Sequence, residues 1–190
     1  MGRALKPSLW RTARVLANLR RLRVLHAVSR SGRISVSAVA AQCRLSLPNA
    51  TQMLRALQAR GLLRAQRVGG WVFYSPDPDP AVAFARPLAA ALRTALSADA
   101  QTRRDILRQL TAYTHHRRIA IVRAVSAGSQ TKPAVARACR ISAQALTRHL
   151  DKLQRRGVIG ERDEHLLLLT PASPLAATLL TLALTETTEA

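Results

Sequence analysis

Residues 43–63 read CRLSLPNATQMLRALQARGLL, and residues 139–159 read CRISAQALTRHLDKLQRRGVI. Aligned without a gap at an offset of 96, they agree at Cys, Arg, Ser, Thr, Leu, Leu, Gln, Arg and Gly, and they exchange one aliphatic residue for another at three further positions. A chain of 190 residues that says nearly the same thing twice divides naturally at that spacing. The division predicted is a first domain over residues 1–97 and a second over residues 98–190, each large enough to bury a modest core. Aromatic residues make up only 3% of the chain, so that core is built from Leu, Ala and Val and is expected to be helical.

The periodicity within each half gives the elements. Leu9, Ala13, Leu16 and Leu19, then Leu22, Leu25 and Val28, recur at helical spacing and predict two amphipathic helices broken near Arg20. Ser31-Gly32 ends the second of these. Ser35 or Ser37 caps a third, which runs to about Gln42 with Val36, Val39 and Ala40 turned inward. After a short turn, Ser46 is the N-cap of a fourth helix, and Pro48 sits in its first turn, where a missing N–H costs little. Ala50, Leu54 and Leu57 form its buried stripe, and Gly61 closes it.

Next, LLRAQRVGGWVFYS predicts two strands around Gly69-Gly70, a pair expected to supply the positive φ angles of a tight turn. PDPDP at residues 76–80 cannot be helical, and residues 81–96 resume a helix. The second half repeats this order, with helices expected at about 104–113, 117–126, 133–138 and 142–156. A hairpin through ERDEH follows, then a last helix near 175–184. The predicted fold is mainly α with small β-hairpin wings: two tandem winged helix-turn-helix units in one chain.

The net charge is +20 and the isoelectric point near 11.9, which implies a polyanionic partner. Of the 30 cationic residues, 27 are Arg, the side chain suited to bidentate contact with phosphate and guanine. Residues 1–97 hold 16 Lys and Arg against 2 acids, and residues 98–190 hold 14 against 8, so the first half is the more cationic. Two Cys at matching repeat positions are no disulfide framework. The longest apolar runs, at 166–169 and 174–184, are too short or too interrupted by Thr to span a bilayer. The expectation is a cytoplasmic, nucleoid-associated protein with no membrane contact.

A helix with its side chains is about as wide as the major groove, so the fourth helix of each unit is the expected reader of base edges. In the first unit the outward residues are Leu47, Pro48, Asn49, Thr51, Gln52 and Arg55. Gln52 suits adenine, Arg55 suits guanine or phosphate, and Asn49 and Thr51 suit either role. In the second unit the equivalents are Ala143, Gln144, Thr147, Arg148 and Lys152, with Gln144 and Arg148 the strongest base readers. Arg44 and Arg140 in the turns, and Arg64, Arg67, Gly69 and Gly70 in the first wing, complete the candidate DNA-binding set. The second wing instead carries Glu161, Asp163 and Glu164, which would oppose phosphates. Either that wing is shorter and held away from DNA, or its unit binds something else.

These residues resemble the ArsR-type repressors of the wider MarR/ArsR winged-helix group. The resemblance runs from RRLRVLHAVSRSGRISVSAVA through GLLRAQRVGGWVFYS, and recurs over residues 117–169 around ISAQALTRHLDKLQRRGVI. It implies a transcriptional repressor that binds double-stranded operator DNA as a dimer. The metal sensors of that family carry two Cys, one residue apart, at the start of the third helix. Here the first unit has Ser35-Val36-Ser37 and the second Thr131-Lys132-Pro133, so no metal and no other cofactor is expected. Cys43 and Cys139 read as small buried hydrophobes. His26, His149 and His165 are separate in sequence, and adjacent His115 and His116 cannot both face one helical site. Because one chain holds two units, a monomeric pseudo-dimer is expected, with a homodimer as the alternative.

Two other readings stay open beside the regulator. One is a replication initiator or partition factor of a mobile element. The other is a chromosome-associated structural or interaction protein that uses winged helices for docking. The Arg20-Arg21-Arg23 and Arg117-Arg118-Arg123 clusters read either as solvated faces or as part of a nucleic-acid surface. No phosphate-cradling Gly loop, carboxylate cluster or Cys-His arrangement points to an enzyme. Asp77 and Asp79 in the Pro-rich connector read as turn residues.

Overall fold

A computed structural model of the chain describes residues 7–97, 100–128 and 130–186. They form two compact units, one built mainly from residues 15–107 and the other from residues 9–14 together with those beyond 107. The division falls after residue 107, whereas the repeat spacing placed it at 97/98, next to residues 98 and 99, which lie outside the described ones. Helix α1 (Leu9–Leu16) also goes largely with the second unit, not the first. The reason is local. The Leu9 N–H donates to the Glu186 carboxylate at 2.6 Å, and Trp10 meets the His116 ring edge-on at 5.8 Å.

The first unit continues with α2 (Leu19–Ser31), whose N-cap is Asn18, accepting from the N–H groups of Arg20 and Arg21. The break expected near Arg20 therefore falls at Asn18, because a carboxamide that satisfies two orphan N–H groups fixes the helix start. Strand β1 (Ile34–Ser35) is only two residues long, too short to show an alternating pattern in the sequence. Ser35 then caps α3 (Val36–Cys43) by accepting from the Ala38 N–H. Residues 44–46 turn the chain into α4 (Leu47–Gln58), which packs against α2 and α3 through Ala50, Leu54 and Leu57, all fully buried.

Ser46 holds the N-cap position of α4, but its hydroxyl makes no cap bond. The neighbouring Pro48 removes one of the two N–H groups such a hydroxyl would accept from. Strands β2 (Arg64–Val68) and β3 (Trp71–Ser75) follow, giving a sheet in the order β1-β3-β2. Only Gly69 of the tip pair has a positive φ, at 58°; Gly70 does not, contrary to the sequence expectation. Helix α5 (Ala85–Leu96) begins four residues later than the sequence suggested, and α6 (Ala100–Ala112) follows.

In the second unit, α7 (His116–Ser126), α8 (Lys132–Ala138) and α9 (Ala143–Arg155) precede β4 (Ile159–Arg162), β5 (His165–Leu168) and α10 (Pro174–Thr185). Asp163 and Glu164 at the hairpin tip both have positive φ, 48° and 61°. The Leu166 N–H also donates to the carbonyl of Gln130, 2.6 Å away. Gln130 lies 96 residues after Ile34, whose strand pairs with β3, so one hydrogen bond stands here where the first unit has a third strand.

The backbone coincides at other positions of the 96-residue offset. Arg44 and Arg140 are left-handed, with φ of 52° and 50°. Gly61 and Gly157 both have φ of 70°. Ser46 and Ser142 share extended dihedrals, −68° with 152° and −68° with 155°. Gly61 has a second constraint, since a Cβ there would sit 2.9 Å from the Val82 side chain. Helix α10 is anchored by Arg123, which donates to the carbonyls of Ala183 and Glu186.

Candidate nucleic-acid interface

The buried stripe of α4 leaves one face outward. Leu47, Pro48, Asn49, Gln52 and Arg55 are exposed there, with Leu47 at 54%. Thr51 differs from the expectation. It is half-buried, and its hydroxyl donates to the Leu47 carbonyl at 2.8 Å, so its proton is committed to the helix and only its lone pairs face a partner. In α9, Thr147 donates to Ala143 in the same way at 3.0 Å. Arg148 is exposed, and its Nε donates back to the Gln144 carbonyl at 3.4 Å, which leaves the terminal guanidinium nitrogens outward. Gln144 and Lys152 are exposed as expected.

Arg44 and Arg140 occupy the turns that precede these helices. Their side chains are exposed, and their left-handed backbones make the turn. Arg64, Arg67, Gly69 and Gly70 are exposed on the first wing. Arg55 of α4 and Arg64 at the base of the wing line one open depression together with Gln58, Leu63, Asp79 and Pro80.

The second wing is less cationic than the first, with Arg162 against Glu161, Asp163 and Glu164. Asp151 stands at the repeat position of Arg55 and pairs with Arg155 at 3.5 Å. The wing acids are partly neutralised. Glu161 accepts from Lys132 at 2.6 Å and from Gln154 at 3.3 Å, and Lys132 holds its carboxyl below the usual range. Asp163 lies 3.8 Å from Arg162. The β4 and β5 strands have four residues each against five in β2 and β3.

Two arginines of the basic clusters are structural. Arg118 is 4% exposed and donates to the carbonyls of Ala112 at 2.7 Å and Thr111 at 3.1 Å, and to the Thr114 hydroxyl. Arg123 anchors α10, as described above. Arg118 is buried and Arg123 half-buried, each held by backbone carbonyls, a distinction that composition alone does not carry. Burial also pushes both the Cys43 and Cys139 thiols up, so neither ionises readily near neutral pH.

The sequence separated His115 and His149, but α7 and α9 bring their rings to 4.8 Å, with His116 stacked on His115 at 4.6 Å. Among the described residues, no three His, Cys, Asp or Glu are placed to hold a metal ion. His115 is the N-cap of α7, its Nδ1 accepting from the Arg117 N–H at 3.1 Å. Burial, then the neighbouring His116 and His149 and the guanidinium groups of Arg118 and Arg117, push its pKa down to about 4, and His149 is lowered as well.

A base with a depressed folded pKa binds its proton more readily when unfolded. Stability is therefore full above about pH 6.5 and is lost as pH falls from there toward about 4. Protonation also turns the capping acceptor into a donor. The Tm is expected to fall across that window, and His115→Asn, which keeps a cap without titrating there, is expected to fall less. Parallel pH profiles for the two proteins would contradict this assignment.

Residues 15–70 match a model of the MarR family. That is the stretch from the end of α1 through α4 to the tip of the first wing, and it supports a winged helix-turn-helix there. No curated protein matches the chain. Among solved structures, human N-acetylserotonin methyltransferase in complex with SAM is similar at 17% identity, over 68% of this chain and 52% of that one, with a TM-score of 0.31. The chain thus spans about half the length of that protein, and so loose a likeness carries no functional argument. Among the described residues, no helix is long and apolar enough to cross a membrane.

Proposed function

We propose that the chain is a sequence-specific regulator of transcription that binds double-stranded DNA, a repressor of ArsR-like type, with two winged-helix units in tandem. One observation carries the reading. The α3–turn–α4 segment buries Ala50, Leu54 and Leu57 and turns Asn49, Gln52 and Arg55 outward, within a half that holds 16 cations and 2 acids. The match of residues 15–70 to the MarR family supports the same reading.

In this account α4 lies in the major groove. Gln52 pairs with adenine through its amide, Arg55 and Arg64 grip the flanking phosphate, and the first wing follows the backbone. The coincident dihedrals at Arg44/Arg140, Ser46/Ser142 and Gly61/Gly157 support a second unit of the same design. There Gln144, Arg148 and Lys152 take the reading positions, so one chain offers two unlike reading heads. Occupancy of a site at a promoter would then exclude polymerase, which is repression without any chemistry, and we read the protein as a binder and not an enzyme.

The test is duplex binding as a function of salt. If several Arg neutralise phosphates, log affinity falls linearly with log salt, losing about 0.9 per phosphate contact. An almost flat response would remove DNA as the partner.

A further inference from the structure

The antiparallel register of the first wing pairs Arg64 with Ser75, Gln66 with Phe73 and Val68 with Trp71. Alternation puts these six residues on one face of the hairpin, and Ala65, Arg67, Val72 and Tyr74 on the other. The second face is the one that packs inward, since Tyr74 is buried. The first face is open and partly apolar. Trp71 is 63% exposed and Val68 46%, and they flank the Gly69-Gly70 tip. Behind them the Arg33 guanidinium lies over the Phe73 ring, 4.6 Å from its centroid.

A tryptophan held in water at a hairpin tip is costly, and nothing within the wing covers it. Phosphate contact does not reward it either. The occupant has to offer an apolar surface inside an anionic frame. Neither β2 nor β3 contains an acid, Arg64 shares the face of Trp71, and Arg33 lies over Phe73 of that face. The nearest carboxylate in sequence, Asp77, accepts from Ser75 at the base of the hairpin, away from the tip. Cations around an exposed aromatic match the minor groove, where sugar walls and base edges lie between two rows of phosphates.

We propose that Trp71, backed by Val68, is a wedge that enters the minor groove beside the segment read by α4 and packs on its sugars and base edges, with Arg33 and Arg64 on the flanking phosphates. The inference rests on the DNA-binding reading above. It adds to that reading a contact that is apolar, and therefore insensitive to salt.

The experiment is duplex binding by the full chain and by Trp71→Ala, Trp71→Phe and Trp71→Arg over a salt series, with tryptophan emission followed in a Trp10→Phe background. Trp71→Ala is expected to weaken binding about tenfold or more, the usual range for loss of an aromatic–base contact. The salt slope is expected to stay that of the unmodified chain, because no phosphate contact is lost. Trp71→Phe keeps most of the affinity, and Trp71 emission is quenched on adding duplex.

The wedge is overturned if Trp71→Ala binds like the unmodified chain. It is equally overturned if Trp71→Arg binds as tightly with a steeper salt slope, which would make the tip a phosphate anchor. A change in self-association on sedimentation, with duplex affinity intact, would make the strip a protein surface and would also refute the proposal. Failure of the unmodified chain to bind duplex at all would refute the DNA-binding reading itself, a separately recognisable result.

Discussion

Leu54→Ala is expected to cost about 2–5 kcal/mol of stability, the range for truncating a fully buried leucine whose surroundings collapse only in part. Leu54 is 0% exposed and sits between Ala50 and Leu57 on the stripe that α4 presents to α2 and α3. Its loss leaves a void under the middle of α4. Chemical denaturation read in the first unit should move to a lower midpoint with little change in slope. Duplex affinity, measured where the variant is still folded, should fall far less than stability, because no outward side chain has changed. A cost below about 1 kcal/mol would mean that α4 is not seated on this core.

Arg118→Met is the second large effect, and it separates structure from charge. The guanidinium is buried, and its donors satisfy the Ala112 and Thr111 carbonyls and the Thr114 hydroxyl, which close the end of α6 and the turn into α7. Burial, with the nearby Arg156, lowers its pKa from the usual arginine range, and the neutral acceptors are what compensate its charge. An apolar replacement leaves those acceptors dry, at about 1–3 kcal/mol for a buried unsatisfied group, so a total loss of about 2–4 kcal/mol is expected. Arg118→Lys should recover only part of this, because one ammonium cannot span the same fork. The salt slope of duplex binding should not change. A shallower slope with stability intact would return Arg118 to the phosphate-facing set.

Those two residues also mark what the sequence does and does not reveal. Leu54 was legible because a stripe of Ala50, Leu54 and Leu57 with helical spacing leaves little choice of face, and its echo in Leu146, Leu150 and Leu153 is buried in the same way. Gly61 and Gly157 were legible for a similar reason, since a helix that must turn sharply into a hairpin needs a left-handed residue. Arg118 was not legible, because an arginine between Arg117 and Ile119 looks the same in sequence whether it is buried or solvated; only the carbonyls it meets decide.

The proximity of His115 and His149 was hidden for a related reason: two helices far apart in sequence bring them together. Position alone puts Thr51 and Thr147 outward, but each hydroxyl is bonded back to its own helix, a local competition that periodicity does not register. Trp71 could have been found. The alternation in WVFYS already puts Trp71 and Phe73 on the face opposite Val72 and Tyr74, whereas charge points only to the arginines.

The central claim is that the outward residues of α4 and α9 read different bases. Selection of bound sequences from random duplex DNA, run with the full chain and with Gln52→Ala, tests it most directly. The expected result is a site with two unlike half-sites, in which Gln52→Ala relaxes one position of one half-site at a cost of about 1–3 kcal/mol. A perfect palindrome with equal half-sites, or a loss in the variant that is uniform over all sequences, would contradict it.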